Sequence, residues 1–303
     1  MKFRRPRELS SDIEDRRGAG PQRGGRGMTA AGLGGAGGLA GIVALLVAFC
    51  GGGGGLANLS PGSDVTLGSA DNAGTTLEAP LGEAQDPNRD EAELASVVME
   101  NAQDFWTVVF EENGLVYERA TLVLYDSLTP TGCGQGDAGM GPFYCSLDNK
   151  AYLDLTFWAQ LESRFGASGD FAQAYVISHE VAHHVQNLLG ISEEVRRLGS
   201  QTPGDRNALS VAQELQADCF AGVWANSVWT DGDVGDPAGI EIDEQDIREA
   251  LGAAAAVGDD RIQAANNLDV NPETWTHGSA DQRMEWFTRG FETGDPAECD
   301  TFS

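Results

Sequence analysis

The stretch G169-DFAQAYVISHEVAHHVQNLL-G190 decides the reading of this chain. Apolar residues recur through Phe171, Ala174, Tyr175, Val181 and Val185 at helical spacing. Asp170 reads as N-cap with Gln173 at N3, and Gly190 as the C-terminal stop. On that helix His179, Glu180 and His183 form an H-E-x-x-H pattern, which arises by chance roughly 0.004 times in a chain holding 4 histidines. Residues four apart share one helical face, so both imidazoles can reach a single ion. Glu180, beside the first histidine, can touch a metal-bound water without ligating.

A catalytic zinc takes three protein ligands and keeps a fourth position for water. His184 is rotated about 100° from His183 on the helix and is read as a solvated or hydrogen-bonded helix residue. The segment E214-LQADCFAG-V223 offers Glu214 and Asp218, again four apart. Glu214 is the expected third ligand. Asp218, one turn on, is placed to accept the free ring N–H of a ligating histidine and fix its tautomer. His277 and Arg283 are both candidates to stabilise a developing oxyanion, and His277 also fits a capping or core role.

Around this helix, Leu94 to Phe110 recur at helical spacing from an Asp90/Glu93 capping pair to Gly114. Further helices are expected over 207–228 and 244–257, and from Ser279 with Gln282 at N3. Residues 115–126 and 151–157 are short and rich in β-branched and aromatic side chains, hence strands. The class is α+β, mostly helical, with a small β-sheet. The strand at 151–157 reads either as a core strand or as the edge that pairs with an extended peptide.

The charge is uneven. Residues 1–26 carry +4, whereas 27–303 carry -32, which repels a phosphate backbone and excludes nucleic acid as a partner. No charged residue occurs from Gly27 to Ser63, and L39-AGIVALLVAF-C50 is strongly apolar. The organisation expected is therefore a basic Gly/Arg-rich cytoplasmic tail (1–29), a transmembrane anchor (30–56), a flexible linker (57–89) and a folded domain (90–303). A signal-peptide h-region is the alternative for the apolar stretch, but no small-residue cleavage site is obvious. Phe49 speaks against lipoprotein processing at Cys50. Cys133, Cys145, Cys219 and Cys299 allow three disulfide pairings. The first two bracket a Gly-rich loop and are plausible partners, which would leave Cys219 to tie Cys299 to a helix. Four reduced, buried thiols are the alternative.

The blocks G141-PFYCSLDNKAYLDLTF-W158, 169–190, E214-LQADCFAGVW-A225 and H277-GSADQRMEWFTRGFETGDPAECDT-F302 resemble, in order, the neutral zinc metallopeptidase family of bacterial, membrane-anchored proteins. The resemblance implies a zincin-like metalloprotease domain with Zn2+ on His179, His183 and Glu214 in the gluzincin manner, and Glu180 as the catalytic residue. It also implies a protein or peptide substrate. The activity expected is a membrane-anchored zinc peptidase, single-pass, with a cytoplasmic N-terminus and the catalytic domain outside. The alternatives are a non-catalytic zinc-binding membrane scaffold and a zinc amidase acting on a cell-wall amide.

Overall fold

The computed structural model of the chain describes residues 1–18, 86–231 and 239–303. The expected anchor at 30–56 and most of the expected linker lie outside these residues. Among the described residues, no helix is long and apolar enough to cross a membrane. The elements in chain order are β1 (Lys2–Phe3), β2 (Ile13–Asp15), α1 (Arg89–Glu112), β3 (Thr121–Tyr125), β4 (Leu128–Thr131), β5 (Gly134–Asp137), β6 (Phe143–Cys145), β7 (Lys150–Asp154), α2 (Phe157–Phe165) and α3 (Asp170–Leu188). They continue with α4 (Ile191–Gln201), α5 (Arg206–Asp231), β8 (Ile240–Glu241), α6 (Glu244–Ala256), α7 (Asp259–Ala265) and α8 (Ala280–Thr293). The class is α+β and mostly helical, as the periodicity predicts.

Helix α3 is buried on nearly every side, its apolar residues packing into the core and its polar ones gathered at the site and at buried hydrogen bonds. Fourteen of its nineteen residues are buried, including Phe171, Tyr175, Ile177 and Val185. One face meets α1, which contributes Trp106 and Phe110. Another meets α5, which contributes Phe220 and Trp224. Helix α5 in turn packs on α8 at very close range. A Cβ on Gly290 would lie 1.9 Å from the carbonyl oxygen of Cys219, and one on Gly222 would lie 2.1 Å from that of Phe287. Only glycine permits that backbone approach.

The helix ends follow their signals with two corrections. Ser279 and Gln282 form a reciprocal capping box on α8, and Asp243 with Asp246 does the same on α6. Asp170, read from the sequence as the N-cap of α3, is instead its first helical residue, because Gly169 at φ 113° makes the entry turn. Its carboxylate still favours the positive end of the helix. Asp90 likewise lies inside the first turn of α1, where it pairs with Arg5 instead of capping.

The four-stranded sheet runs β2-β3-β7-β6, with β2, β3 and β7 parallel and β6 antiparallel on one edge. Strand β7 therefore corrects the edge reading of 151–157. Ala151 to Asp154 are all buried, the pattern of an interior strand, and the free edge belongs to β6. The β4–β5 hairpin is tied to β6 through the Cys133–Cys145 disulfide, and Cys219–Cys299 ties the C-terminus to α5. The head departs from the expected separate tail. Strand β1 pairs with β8 and β2 with β3, so both belong to the domain's own sheets.

Candidate metal centre

Helix α3 presents His179 and His183 one turn apart, with ring centroids 4.7 Å from each other. Helix α5 crosses it and brings up Glu214. His179 Nε2 lies 3.2 Å from Glu214 Oε2, and His183 Nε2 lies 3.4 Å from Glu214 Oε1. One ligand atom from each of these three residues falls within 4.8 Å of the others, the one such group among the described residues. Ligands about 2.0–2.1 Å from a tetrahedral ion stand about 3.3 Å apart, so the donor set has the type and spacing that zinc requires.

The other ring nitrogens are held as well. His179 Nδ1 is 2.9 Å from Asp218 Oδ1, and His183 Nδ1 is 2.9 Å from Gln186 Oε1. Each Nε2 is thereby turned towards Glu214. Gln186 escaped the sequence reading, although it sits three residues after His183 on the same helix face. Its own amide donates to Gln213 O at 2.7 Å and to Gln216 Oε1 at 3.1 Å, which fixes the carbonyl end towards the histidine.

Asp218 is fully buried and shared. Tyr175 donates to it at 2.5 Å, and Arg283 holds both oxygens, Nε to Oδ2 at 2.7 Å and Nη2 to Oδ1 at 2.9 Å. Arg283, one of two sequence candidates for oxyanion stabilisation, is thus committed to Asp218 and to Tyr175. His277, the other, lines the same cavity as the three donors, as Arg283 also does. Its Nδ1 is 3.0 Å from Asp259 Oδ1, and Asp259 Oδ2 also accepts from the backbone N–H groups of Thr276, His277 and Gly278. His184 stands apart. Its Nδ1 meets Tyr144 Oη at 2.9 Å and its Nε2 meets the Glu118 carbonyl, so the ring is a buried link between α3 and the sheet.

Glu180 is buried beside the histidines, and its Oε2 has no hydrogen-bond partner. Burial pushes its pKa up, with His183 and His179 opposing. Burial also disfavours the charged form of Glu214, yet the two histidines, with His277 behind them, hold that carboxyl well below its ordinary range. For His179, burial works against protonation, but Asp218 and Glu214 overcome it and raise the pKa to about 9. One carboxylate is therefore firmly ionised among the imidazoles, while its neighbour is left proton-seeking.

These groups line a cavity of about 530 Å3 together with Met140 and Pro142 of the disulfide-tied loop and Phe143 of β6. Against known families, residues 1–302 match the model described as "Putative neutral zinc metallopeptidase". The chain belongs to this family. The neutral zinc metallopeptidase match takes in the head as well as the domain, in keeping with the strand pairing of residues 2–15. The uncharacterized protein YpfJ of Escherichia coli strain K12 is 43% identical over 305 residues, which covers 98% of this chain and 97% of that protein. The uncharacterized protein Rv2575 of Mycobacterium tuberculosis strain H37Rv is 50% identical over 192 residues, 62% of this chain and 64% of that one. No solved structure matches.

Proposed function

We propose that this chain is a zinc-dependent peptidase in which His179, His183 and Glu214 hold the metal and Glu180 is the general base. The observation that carries the reading is the partnerless oxygen of Glu180, buried next to a three-donor set of zinc spacing that lines an open cavity. A site that only stores metal has no use for that carboxylate. Zinc bound there supplies Lewis acidity, polarising the scissile carbonyl and making water a nucleophile at neutral pH.

The remaining work falls to the chain. Glu180 takes the proton from the attacking water and returns it to the leaving nitrogen. Asp218 accepts from His179 Nδ1, and Gln186 accepts from His183 Nδ1, so each imidazole is presented through Nε2. With Arg283 engaged on Asp218, His277 is the donor to the developing oxyanion, oriented by Asp259 at its Nδ1. The open edge of β6 offers backbone groups to an extended peptide lying beside the cavity. Two disulfides are of a kind that persists in oxidising compartments, so the domain belongs on the outer side of the cell membrane.

The test is zinc content and hydrolysis of an unstructured protein, measured on the full chain and on Glu180→Gln. The reading expects one zinc per chain in both and a fall in turnover of about 100-fold or more in the variant. Zinc bound without hydrolysis by the parent chain would refute it.

A further inference from the structure

The head of the chain is built into the domain from two sides. Strand β2 lies parallel to β3 in the register Ile13↔Leu122, Glu14↔Val123 and Asp15↔Leu124. The ladder is continued by Leu122 N–H donating to Asp12 O at 2.7 Å and Arg16 N–H donating to Leu124 O at 2.8 Å. Asp12 is buried, and its carboxylate takes a forked contact from Arg119, with Nε 3.1 Å and 3.0 Å from its two oxygens. Ser10 N–H donates to Ser96 Oγ of α1 at 2.7 Å. At the far end β1 pairs with β8 through Phe3↔Ile240.

Lys2, Arg5 and Arg17 of the head reach carboxylates beyond it, and Arg16 pairs within the head. Lys2 meets Glu241 at 2.9 Å, Arg5 meets Asp90 and Glu93, and Arg16 meets Glu14 at 2.7 Å. Arg17 is decisive. Its Nη2 lies 2.8 Å from Asp86 Oδ2 and its Nη1 lies 3.2 Å from Asn88 O, across 69 and 71 positions of sequence. The chain therefore departs after residue 18 and returns at 86 at one place on the domain. A single passage through a bilayer between those points would set about 30 Å of hydrocarbon between residues in hydrogen-bond contact.

Residues 10–17 are seated beside β3 as a strand of the domain's own sheet, and we infer that the head stays docked there and that the head and the metal centre consequently occupy one compartment. Any crossing of the membrane between residues 18 and 86 occurs an even number of times, zero included. This replaces the single-pass placement expected from the sequence. The asymmetry of charge, +4 on residues 1–26 against -32 on the rest, then has a direct meaning as the electrostatic complement of head and domain, not as a signal that retains the head in the cytoplasm.

Sidedness is measured on the full chain in a Cys50→Ser background with Ser11→Cys or Ser303→Cys, both exposed positions. Spheroplasts are treated with a membrane-impermeant maleimide before and after detergent lysis, and denatured protein gives total reactivity. The expected result is that the two positions agree, either both reacting before lysis or both only after it. Reaction of one before lysis and of the other only after it would overturn the inference, whatever the zinc content or activity of the chain. Docking is tested separately on the purified chain. Trypsin should spare residues 2–17 of the parent chain, Asp12→Arg should expose them, and Asp12→Arg with Arg119→Asp should restore protection. Cleavage of the parent head at the rate of a free peptide would also overturn it.

Discussion

Arg283 grips Asp218 at two points, Nε to Oδ2 and Nη2 to Oδ1, and neither side chain is more than 4% exposed. Asp218 also meets His179 Nδ1, and Arg283 Nη2 itself lies 3.4 Å from both ring nitrogens of His179, so the guanidinium bears on that histidine both directly and through the carboxylate. Replacing Arg283 by Met leaves the buried Asp218 carboxylate with Tyr175 and His179 as its remaining partners, a loss of up to about 3–5 kcal/mol. Chemical denaturation of the metal-free chain should show that loss. Asp218→Asn keeps the shape but removes the acceptor charge behind His179, and zinc affinity should fall about 10–100-fold in chelator competition.

His277 and Asp259 act together in the proposed reaction. His277→Ala should lower kcat about 100-fold or more, as removal of an oxyanion donor does elsewhere, while zinc stoichiometry stays at that of the parent. Asp259→Asn should fall in between, since it weakens the orientation of the ring but leaves it in the cavity. A loss of zinc in His277→Ala would assign that residue to the metal instead.

The metal-free site carries a proton. His179 has its pKa raised to about 9 in the folded chain, against an ordinary 6.5, by Asp218 and Glu214 acting against burial. A raised histidine stabilises the fold fully below pH 6.5, and that contribution is lost as pH climbs through about 9. The Tm of chelator-treated protein should therefore decline between those values. Zinc requires neutral imidazole, so its binding at pH 7 should release protons, and the release attributable to His179 should vanish above about pH 9. Calorimetry in two buffers of different ionisation enthalpy measures it.

Gly290 allows α8 to lie against α5. Gly290→Ala sets a methyl 1.9 Å from the Cys219 carbonyl oxygen, a contact that only backbone movement can relieve. Overpacking of this kind costs about 1–3 kcal/mol or more, a fall in Tm of several degrees. Since α5 carries Asp218 and α8 carries Arg283, the same change should weaken zinc binding. Gly252→Ala on α6, where nothing lies within 4 Å, is the matched control.

Local patterns were legible wherever the signal repeats with the period of the element. His179 and His183 share a face because four residues make about one turn, and the Ser279/Gln282 box marks the start of α8 from two letters. The β-branched and aromatic runs at 115–126 and 151–157 stood out and contain β3 and most of β7, but their true bounds and their order did not, since pairing partners are remote in sequence. The amphipathic helix α4 went unread beside the stronger pattern of α3, and β1, β2 and β8 are too short to show any alternation.

What the sequence by itself determined is the helices α1, α3, α5, α6 and α8, the pair of imidazoles on one of them and the charge imbalance between head and remainder, because each depends on neighbours along the chain. The tertiary structure alone decided that Glu214 stands between those imidazoles, that Gln186 and Asp218 hold their far nitrogens, that Arg283 is committed to Asp218 and that β6, not β7, is the free edge. It also decided that Asp12 finds Arg119 and Arg17 finds Asp86. Those partners lie 107 and 69 positions apart, and only the packing of α3, α5, α8 and the sheet brings such distant groups within the few ångströms over which hydrogen bonds and ion pairs act.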